Sequence, residues 1–416
     1  MSADPFVIIG AGLAGAKAAE SLRERGYAGG LVLVGAEQHR PYERPPLSKG
    51  YLSGKSERDT VFVHEPSWYD DHAVDLRLGR SATAIDRGSH AVALDDGSSL
   101  RYAKLLIATG SRPRRLPAPG GDLAGIATLR TLDDCESLRQ SLAGTAASNG
   151  RVVIVGAGWI GLEVAAAARS AGAQVTIVES LELPLLRVLG PELAQSFADL
   201  HRAHGVDLRL GVSLAEITGV DGRPTGVRLA DGAQIDADAV LVAVGITPNV
   251  ELAEQAGLAV DDGVLVDASL RTEDPDVFAA GDVASAFHPV LGARIRVEHW
   301  ANALNQPAVA AAGMLGEQES YDRLPYFFTD QYDLGMEYVG HVEPGGYDDV
   351  VIRGDLAARE YVAFWLRDGR VLAGMNVNVW DVGDDVKALI AAGPLSDKAK
   401  LADPGVPLSE LVRDSA

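Results

Sequence analysis

Two glycine-rich motifs with the spacing G-x-G-x-x-G, at residues 10–15 and 156–161, are the parts of this chain that most directly indicate chemistry. In this motif the first glycine permits a tight turn, the second lets the backbone approach a pyrophosphate, and the third lets a helix pack closely on a strand. The glycines are Gly10, Gly12, Gly15, Gly156, Gly158 and Gly161. The amides that begin such a helix attract phosphate oxygens, so the sequence predicts two dinucleotide sites.

The elements that must position these motifs are visible on either side of each. An apolar run precedes each motif, at residues 6–9 and 151–155, and an alanine-rich stretch follows it, a pattern typical of strand, turn and helix. The next apolar run of each unit ends in an acid, Glu37 or Glu179, which suits ribose hydroxyls. No arginine adjoins Glu179, which favours NADH over NADPH, although Arg187 leaves NADPH open.

The sequence predicts one further site and one further domain. A buried-strand pattern leads to Gly281 and Asp282, whose carboxylate suits a polyol such as the ribitol of a flavin or, alternatively, a helix cap. From about residue 324 the pattern changes to antiparallel strands, with a helix at 386–392, and predicts a small α+β domain.

Composition limits the class of protein. The chain has 416 residues, enough for two or three domains, and a formal net charge of −21, which argues against nucleic acid as the main partner. No apolar run is long enough to span a membrane, so a cytoplasmic protein is expected. The single cysteine, Cys135, lies among acidic residues and is expected to be structural. Without a C-x-x-C pair, no dithiol relay within the chain is possible, and no metal site is predicted.

The sequence resembles the oxygenase-coupled, NADH-dependent ferredoxin reductases of the putidaredoxin reductase and biphenyl dioxygenase reductase type, within the glutathione-reductase-like flavoproteins. The resemblance covers essentially the whole chain, and its most specific segments are residues 45–49, 158–163, 245–249 and 280–282. It implies an α/β fold with two Rossmann-like dinucleotide-binding domains and a C-terminal α+β domain. The implied domains are an FAD-binding domain at 1–115 and 245–322, an NAD-binding domain at 116–244, and a C-terminal domain at 323–416.

The resemblance also implies residue roles. Lys49 and Glu163 would form an ion pair near flavin N5, where hydride arrives, and are the implied catalytic residues. Besides the first three glycines, the implied FAD contacts are Ala14, Ala36, Glu37, Arg44, Pro45, Lys49, Ala82, Ala108, Thr109, Gly110, Arg130, Gly281, Asp282 and Trp300. Besides the second three glycines, the implied NAD contacts are Ile160, Glu179 and Gly245.

The implied activity is transfer of electrons from NADH through FAD, one at a time, to an iron–sulfur ferredoxin of the [2Fe–2S] or a similar type. That ferredoxin would serve a cytochrome P450 or a Rieske-type oxygenase. Arg294 and Arg296 are candidates for a basic docking patch, and Phe328 stands where many members of the family have tryptophan. The protein is expected to be a monomer or homodimer without nucleic acid or membrane partners. The alternatives are an NADH reductase for rubredoxin, a quinone or another small acceptor, or a redox-signalling flavoprotein like apoptosis-inducing factor.

Overall fold

A computed structural model of the chain describes residues 4–395 and 397–414. Short 3₁₀ helices occupy Pro45–Ser48 and Arg58–Val61. The α-helices are α1 Leu13–Glu24, α2 Trp68–Asp71, α3 Leu132–Ala147, α4 Trp159–Ser170, α5 Leu186–Leu189, α6 Pro191–Ala203, α7 Glu251–Gln255, α8 Trp300–Met314, α9 Gly383–Ala391, α10 Lys398–Ala402 and α11 Leu408–Asp414.

Helices separate the strands of each glycine-motif unit, whereas other strands follow one another without a helix between them. The strands are β1 Phe6–Ile9, β2 Leu31–Gly35, β3 Val74–Leu78, β4 Ala82–Asp86, β5 Ala91–Leu94, β6 Ser99–Arg101, β7 Lys104–Ile107, β8 Ser111–Pro113, β9 Arg151–Val155, β10 Gln174–Val178, β11 Asp207–Arg209, β12 Leu214–Val220, β13 Arg223–Leu229, β14 Gln234–Asp236, β15 Ala239–Val242, β16 Ile246–Pro248, β17 Val264–Val266, β18 Val277–Ala279, β19 Ala284–His288, β20 Ala293–Ile295, β21 Tyr326–Gln331, β22 Leu334–Gly340, β23 Asp349–Asp355, β24 Glu360–Arg367 and β25 Arg370–Val377.

The described chain forms two compact units. The first unit comprises residues 4–44, 58–112 and 246–325, and the second comprises the remaining described residues. The three domains that the resemblance implies, with their bounds, stay a prediction. Residues 1–3, 396, 415 and 416 of those domains lie outside the described residues.

The core of the first unit is a parallel sheet in the order β18-β7-β1-β2-β3. Its strands β1, β2 and β18 are short, mainly apolar runs that are buried along their whole length. Continuous apolar strands of this kind belong to parallel sheets that are covered on both faces. The adjoining hairpin of β5 and β6 turns at Gly97, which has a φ of +82°.

The second unit contains a parallel sheet in the order β11-β10-β9-β15 and an antiparallel sheet in the order β21-β22-β25-β24-β23. The antiparallel sheet and α9 confirm the strands and helix expected after residue 324. The predicted fold class, α/β with two dinucleotide-type sheets and an α+β tail, is therefore confirmed. Within the residues described, no helix is both long and apolar enough to cross a membrane.

Candidate active site

In the first unit, four segments predicted to contact FAD follow neighbouring parallel strands. Gly10 follows β1, Ala36 comes just after β2, Ala108 follows β7, and Gly281 follows the strand β18 by one residue. Because β18, β7, β1 and β2 are adjacent and parallel, these residues meet at one edge of the sheet. Ligands of open α/β sheets bind at this carboxyl edge.

The first glycine motif has the geometry that a dinucleotide requires. Gly10 has a φ of +114°, and a Cβ at this position would lie 2.1 Å from the carbonyl oxygen of Ala108. A Cβ on Gly15 would lie 2.0 Å from the carbonyl oxygen of Gly10, so α1 packs directly on the turn. Gly12 differs, because apart from its own atoms and its two chain neighbours no heavy atom of the described chain lies within 4 Å of where its Cβ would be. The open side of Gly12, at the start of α1, fits a pyrophosphate.

Glu37 and Arg44 are neighbours in the first unit. The Tyr42 hydroxyl donates a hydrogen bond of 2.5 Å to Oε2 of Glu37, and Nη2 of Arg44 lies 3.6 Å from Oε1 of Glu37. The guanidinium also lies over the ring of Tyr42. The structure thus brings two predicted FAD contacts together after β2, and their roles toward the cofactor stay a prediction.

Asp282 is 8% exposed and receives a hydrogen bond of 2.7 Å from the hydroxyl of Ser111. The helix-cap alternative for Asp282 is wrong, because the strand β19 follows it at Ala284–His288. The backbone N–H of Gly281 donates to Oε1 of Gln306 at 2.8 Å. Sequence reasoning missed Ser111 and Gln306, which are 171 and 25 residues from their partners and carry no motif.

The other predicted FAD contacts of the first unit lie near the same strand ends or in adjoining elements. Thr109 donates to the carbonyl of Asn249 at 2.8 Å, and the Asn249 amide donates back to the carbonyl of Thr109 at 2.8 Å. Burial raises the pKa of the Glu43 carboxyl, and a hydrogen bond from Trp300 opposes that rise. The remaining predicted contacts are Ala14 in α1, Ala82 in β4, and Gly110, which has a φ of +64°.

The second glycine motif, in the second unit, has nearly the same backbone angles and Cβ distances as the first. Gly156 has a φ of +104°, and a Cβ there would lie 2.4 Å from the carbonyl oxygen of Ala243. A Cβ on Gly161 would lie 2.1 Å from the carbonyl oxygen of Gly156. The Cβ position of Gly158, like that of Gly12, has no described heavy atom within 4 Å beyond its own residue and its chain neighbours. This second turn therefore also fits a pyrophosphate at the start of α4.

Glu179 follows β10 beside the second glycine turn. Its carboxylate accepts hydrogen bonds from the backbone N–H of Ala157 at 2.8 Å and of Leu181 at 2.9 Å, and from the Ser180 hydroxyl at 3.1 Å. Ile160, on the first turn of α4, keeps 40% of its side chain exposed. Gly245, with a φ of +99°, comes shortly after β15. The four predicted NAD-binding regions are the second glycine motif, Ile160, Glu179 and Gly245. Each of them follows a strand of the parallel sheet of the second unit or lies at the start of α4.

The predicted ion pair of Lys49 and Glu163 forms within the second unit. Nζ of Lys49 lies 2.7 Å from Oε1 of Glu163, and the side chains are 14% and 3% exposed. Lys49 directly follows the 3₁₀ helix Pro45–Ser48, and α4 carries Glu163 two residues beyond the last glycine of the motif. The position of this pair relative to a flavin stays a prediction.

Two more residues of the second unit were singled out from the sequence. Arg130 precedes the capping box of α3, in which the Asp134 carboxylate accepts from the N–H groups of Arg130 and Thr131, both at 2.9 Å. Cys135 is buried one turn into that helix, and its Sγ donates to the carbonyl of Leu47 at 3.3 Å. Burial raises the pKa of the Cys135 thiol to about 12, so this cysteine is structural, as expected.

The docking role of Arg294 and Arg296 stays a prediction, and Arg296 is held by two acids. Its side chain is only 10% exposed and is paired with Glu298 at 2.6 Å and with Asp262 at 3.1 Å. The guanidinium of Arg294 donates to the carbonyls of Val266 and Ser285. Backbone carbonyls leave the positive charge of Arg294 in place, so a docking patch at these residues stays a prediction, and the sequence could not show how close their partners lie.

Comparisons with known proteins agree with this site. Residues 4–307 match the family model described as pyridine nucleotide-disulphide oxidoreductase, and residues 326–412 match the model described as reductase C-terminal. The ferredoxin–NAD(+) reductase component of the anthranilate 1,2-dioxygenase system of Burkholderia cepacia is 43% identical over 98% of this chain and 99% of its own length. Rhodocoxin reductase of Rhodococcus erythropolis is 40% identical over 90% of this chain and 86% of its own length.

Among solved structures, the covalent putidaredoxin reductase–putidaredoxin complex superposes with a TM-score of 0.93 at 36% identity, covering 100% of this chain and 99% of the other. The fold and the two glycine turns define a dinucleotide-dependent oxidoreductase. The chain belongs to the pyridine nucleotide-disulphide oxidoreductase family, which implies FAD and NAD(P)H as cofactors. The resemblance to the ferredoxin reductases of oxygenase systems is confirmed.

Proposed function

We propose that the protein is an NADH-dependent ferredoxin reductase of an oxygenase system. The observation that carries this proposal is the combination of two glycine turns open to a dinucleotide with a single, inert cysteine. Relatives similar over nearly the whole chain are named as ferredoxin reductases, which supports the choice of a ferredoxin as the acceptor.

The electron balance of the reaction explains why the cysteine count matters. A hydride from NADH carries two electrons, and a ferredoxin accepts one at a time. The reaction therefore converts NADH and two oxidised ferredoxins into NAD⁺, two reduced ferredoxins and one proton. FAD, when bound, is the group that can accept a pair of electrons and release them singly. With one buried thiol in the chain, no dithiol within it can do so.

The chain's own residues prepare this transfer in two ways. The glycine turns and the starts of α1 and α4 would hold the pyrophosphates of bound dinucleotides at the carboxyl edges of the two parallel sheets. The Lys49 ammonium, held by Glu163, supplies positive charge that favours a reduced, more negative cofactor. Glu179 favours NADH, because its fixed carboxylate accepts a ribose hydroxyl and repels a 2′-phosphate.

The test is reduction of cytochrome c by the purified holoprotein, with NADH or NADPH, in the presence and absence of a [2Fe–2S] ferredoxin. We expect a large rate that requires ferredoxin and NADH. Fast reduction of ferricyanide or a quinone without any response to several ferredoxins would contradict the proposal and favour the small-acceptor alternative. Slow turnover with a long-lived complex of the reduced protein and NAD⁺ would favour the signalling alternative. A cytoplasmic location and a monomeric or dimeric state stay predictions, for cell fractionation and light scattering to test.

A further inference from the structure

The carboxylate of Glu163 is held by more groups than its ion pair requires. Oε1 accepts a hydrogen bond from Lys49 at 2.7 Å and another from the Thr329 hydroxyl at 2.5 Å. Oε2 accepts a hydrogen bond from the Ser48 hydroxyl at 2.5 Å. Both carboxylate oxygens are therefore used by donors in a site where Glu163 is only 4% exposed.

The hydrogen bonds around Thr329 have a fixed direction. An ionised carboxylate only accepts, so the Thr329 hydroxyl must donate its one proton to Glu163. The oxygen of that hydroxyl is then left as an acceptor, and Nε2 of Gln331 lies 3.2 Å from it. Because the Gln331 amide nitrogen donates to Thr329, its carbonyl oxygen Oε1 faces the other way.

His201 continues the same direction. Its Nε2 lies 2.9 Å from Oε1 of Gln331, and since a carbonyl oxygen only accepts, Nε2 carries the proton. Burial lowers the pKa of His201 to about 4, so the ring is neutral near pH 7 and its Nδ1 is an acceptor. The Tyr332 hydroxyl lies 3.4 Å from this Nδ1. In each hydrogen bond of this series, the donor therefore belongs to the residue farther from Glu163 and the acceptor to the residue nearer to it.

The members of this series are deeply buried and come from distant parts of the sequence. Thr329 and Gln331 are each 1% exposed, and His201 is fully buried. Thr329 and Gln331 are two residues apart on β21, so both side chains lie on the same face of the strand. His201 is on α6, and Glu163 is 166 residues from Thr329. A strand of the tail therefore supports a carboxylate next to the second glycine turn.

We propose that Thr329, Gln331 and His201, here called the Glu163 network, are positioning residues that hold the Glu163 carboxylate and, through it, the Lys49 ammonium during hydride transfer. Aligned dipoles that end on an anion reinforce one another in a buried site. Loss of one member leaves a buried polar atom without its partner, so the carboxylate is less firmly held. The proposal rests on the proposed function for the role of Lys49.

The test uses the holoprotein of Thr329→Val, which removes the donor at nearly constant volume, and Thr329→Ser, which keeps it. Stopped-flow reduction by NADH is expected to slow about tenfold in Thr329→Val at saturating NADH, as for the loss of one hydrogen bond to a charged group, with the dissociation constant of NADH unchanged. Thr329→Ser is expected to restore the wild-type rate. Thr176→Val is the matched control, because Thr176 is a 1% exposed threonine on the strand β10 of the same unit.

A second measurement does not depend on activity. Acetic anhydride acylates lysine amines that are unprotonated and accessible, so an ammonium held in a buried ion pair reacts slowly, and mass spectrometry can compare Lys49 with the exposed Lys55 in the same sample. We expect Lys49 to be labelled faster in Thr329→Val than in the wild type and in Thr176→Val. If Thr329→Val does not fold, Gln331→Met answers the same question, because it keeps the Thr329 hydroxyl and removes both the donor to Thr329 and the acceptor of His201.

The outcomes separate the two proposals. Wild-type reduction rates and wild-type Lys49 labelling in the Thr329→Val and Gln331→Met variants would overturn the positioning role. Faster labelling of Lys49 without slower reduction would also overturn it. In that case the network would restrain the lysine, but the restraint would not affect the rate of hydride transfer. If Lys49→Met itself reduces at the wild-type rate and ferredoxin is not an acceptor, the proposed function fails, while the labelling still reports whether the network holds Lys49.

Discussion

At the scale of single residues, Glu179 shows how a side chain can be made selective by its neighbours. Two backbone N–H groups, of Ala157 and Leu181, fix the carboxylate beside the second glycine turn. A carboxylate held in this way cannot swing aside to make room for a 2′-phosphate. It can still accept a hydrogen bond from a 2′-hydroxyl, since each oxygen has more than one acceptor site.

We predict that Glu179→Gln lowers the preference for NADH over NADPH by about tenfold, because the repulsion of a 2′-phosphate is removed while the shape is kept. The measurement is the ratio of kcat/KM for the two nucleotides. Glu182→Gln is the matched control, since Glu182 is an exposed acid three residues further on. A ratio that is unchanged in Glu179→Gln, or changed equally in both variants, would contradict the role of Glu179.

His201 makes the stability of the protein sensitive to acid. Its pKa is lowered from 6.5 to about 4, mainly by burial, with a smaller effect of His204, while the hydrogen bond to Gln331 opposes the shift. Below pH 6.5 the unfolded chain binds a proton that folded His201 binds only near pH 4. The free energy of unfolding is therefore expected to fall by about 3 kcal/mol from this residue as the pH drops from 7 to 4.

The prediction for His201 is checked by urea unfolding of the holoprotein between pH 7 and pH 4.5, followed by tryptophan fluorescence. His201→Gln keeps a donor for Gln331 but has no titration in this range, so it should lose about 2 to 3 kcal/mol less stability over the same interval. Equal losses in the two proteins would show that His201 is not a source of the acid sensitivity.

At the scale of elements, the two glycine turns are equivalent, and the sequence predicted both of them completely. The strand before each turn, the helix after it and the acid that ends the next strand are all local patterns, confirmed in β1 with α1 and in β9 with α4. The motif also predicted the different tasks of the first and second glycines, but the contacts that enforce the first task, with Ala108 and Ala243 at the ends of other strands, are visible only in the structure.

We predict opposite consequences for two alanine substitutions in one turn. Gly156→Ala forces a positive φ on alanine and places a methyl group 2.4 Å from the carbonyl oxygen of Ala243, so it should cost about 2 kcal/mol or more of stability. Gly158, with a φ of −80° and open space at its Cβ position, should tolerate alanine in the fold. Its methyl group would instead stand where a pyrophosphate approaches, and KM for NADH should rise about tenfold.

Thermal unfolding and steady-state kinetics of the two variants test this pair, and each variant is the control for the other. A Gly158→Ala protein with unchanged KM would show that the nucleotide does not approach that glycine. A Gly156→Ala protein as stable as the wild type would show that the turn can rearrange away from Ala243.

The strand β21 marks where prediction from the sequence stops. Its aromatic residues, Tyr326 to Phe328, hide the alternation that would identify a half-buried strand, and its burial alternates only from Thr329 onward. The Lys49–Glu163 pair could be inferred from family motifs, but Ser48, Thr329 and His201 could not be placed around it. Their contacts join residues more than a hundred positions apart, and a polar residue in a strand is more often exposed than buried.

At the scale of the whole molecule, the second unit joins the parallel sheet of the second glycine turn to the antiparallel sheet of the tail. The indole N–H of Trp365, on β24, donates to the carbonyl of Leu189 at 3.2 Å, and the Trp365 side chain is 1% exposed. His201 and Gln331 make a second buried link between the two parts. Breaking such a buried hydrogen bond leaves a polar group without a partner in each part, so the folding of the two parts is coupled.

We therefore predict that the two sheets of the second unit unfold together. Trp365→Leu should destabilise the tail by about 3 kcal/mol through lost packing and an unpaired carbonyl at Leu189, and it should destabilise β9 and β10 by a similar amount. Hydrogen exchange followed by mass spectrometry measures both sheets in one experiment. Trp380→Leu is the matched control, because Trp380 is in the same tail and is 55% exposed. If Trp365→Leu accelerates exchange in β24 and β25 while β9 and β10 keep their wild-type protection, the tail is an independent folding unit, and its support of Glu163 through Thr329 can be lost while the nucleotide sheet stays intact.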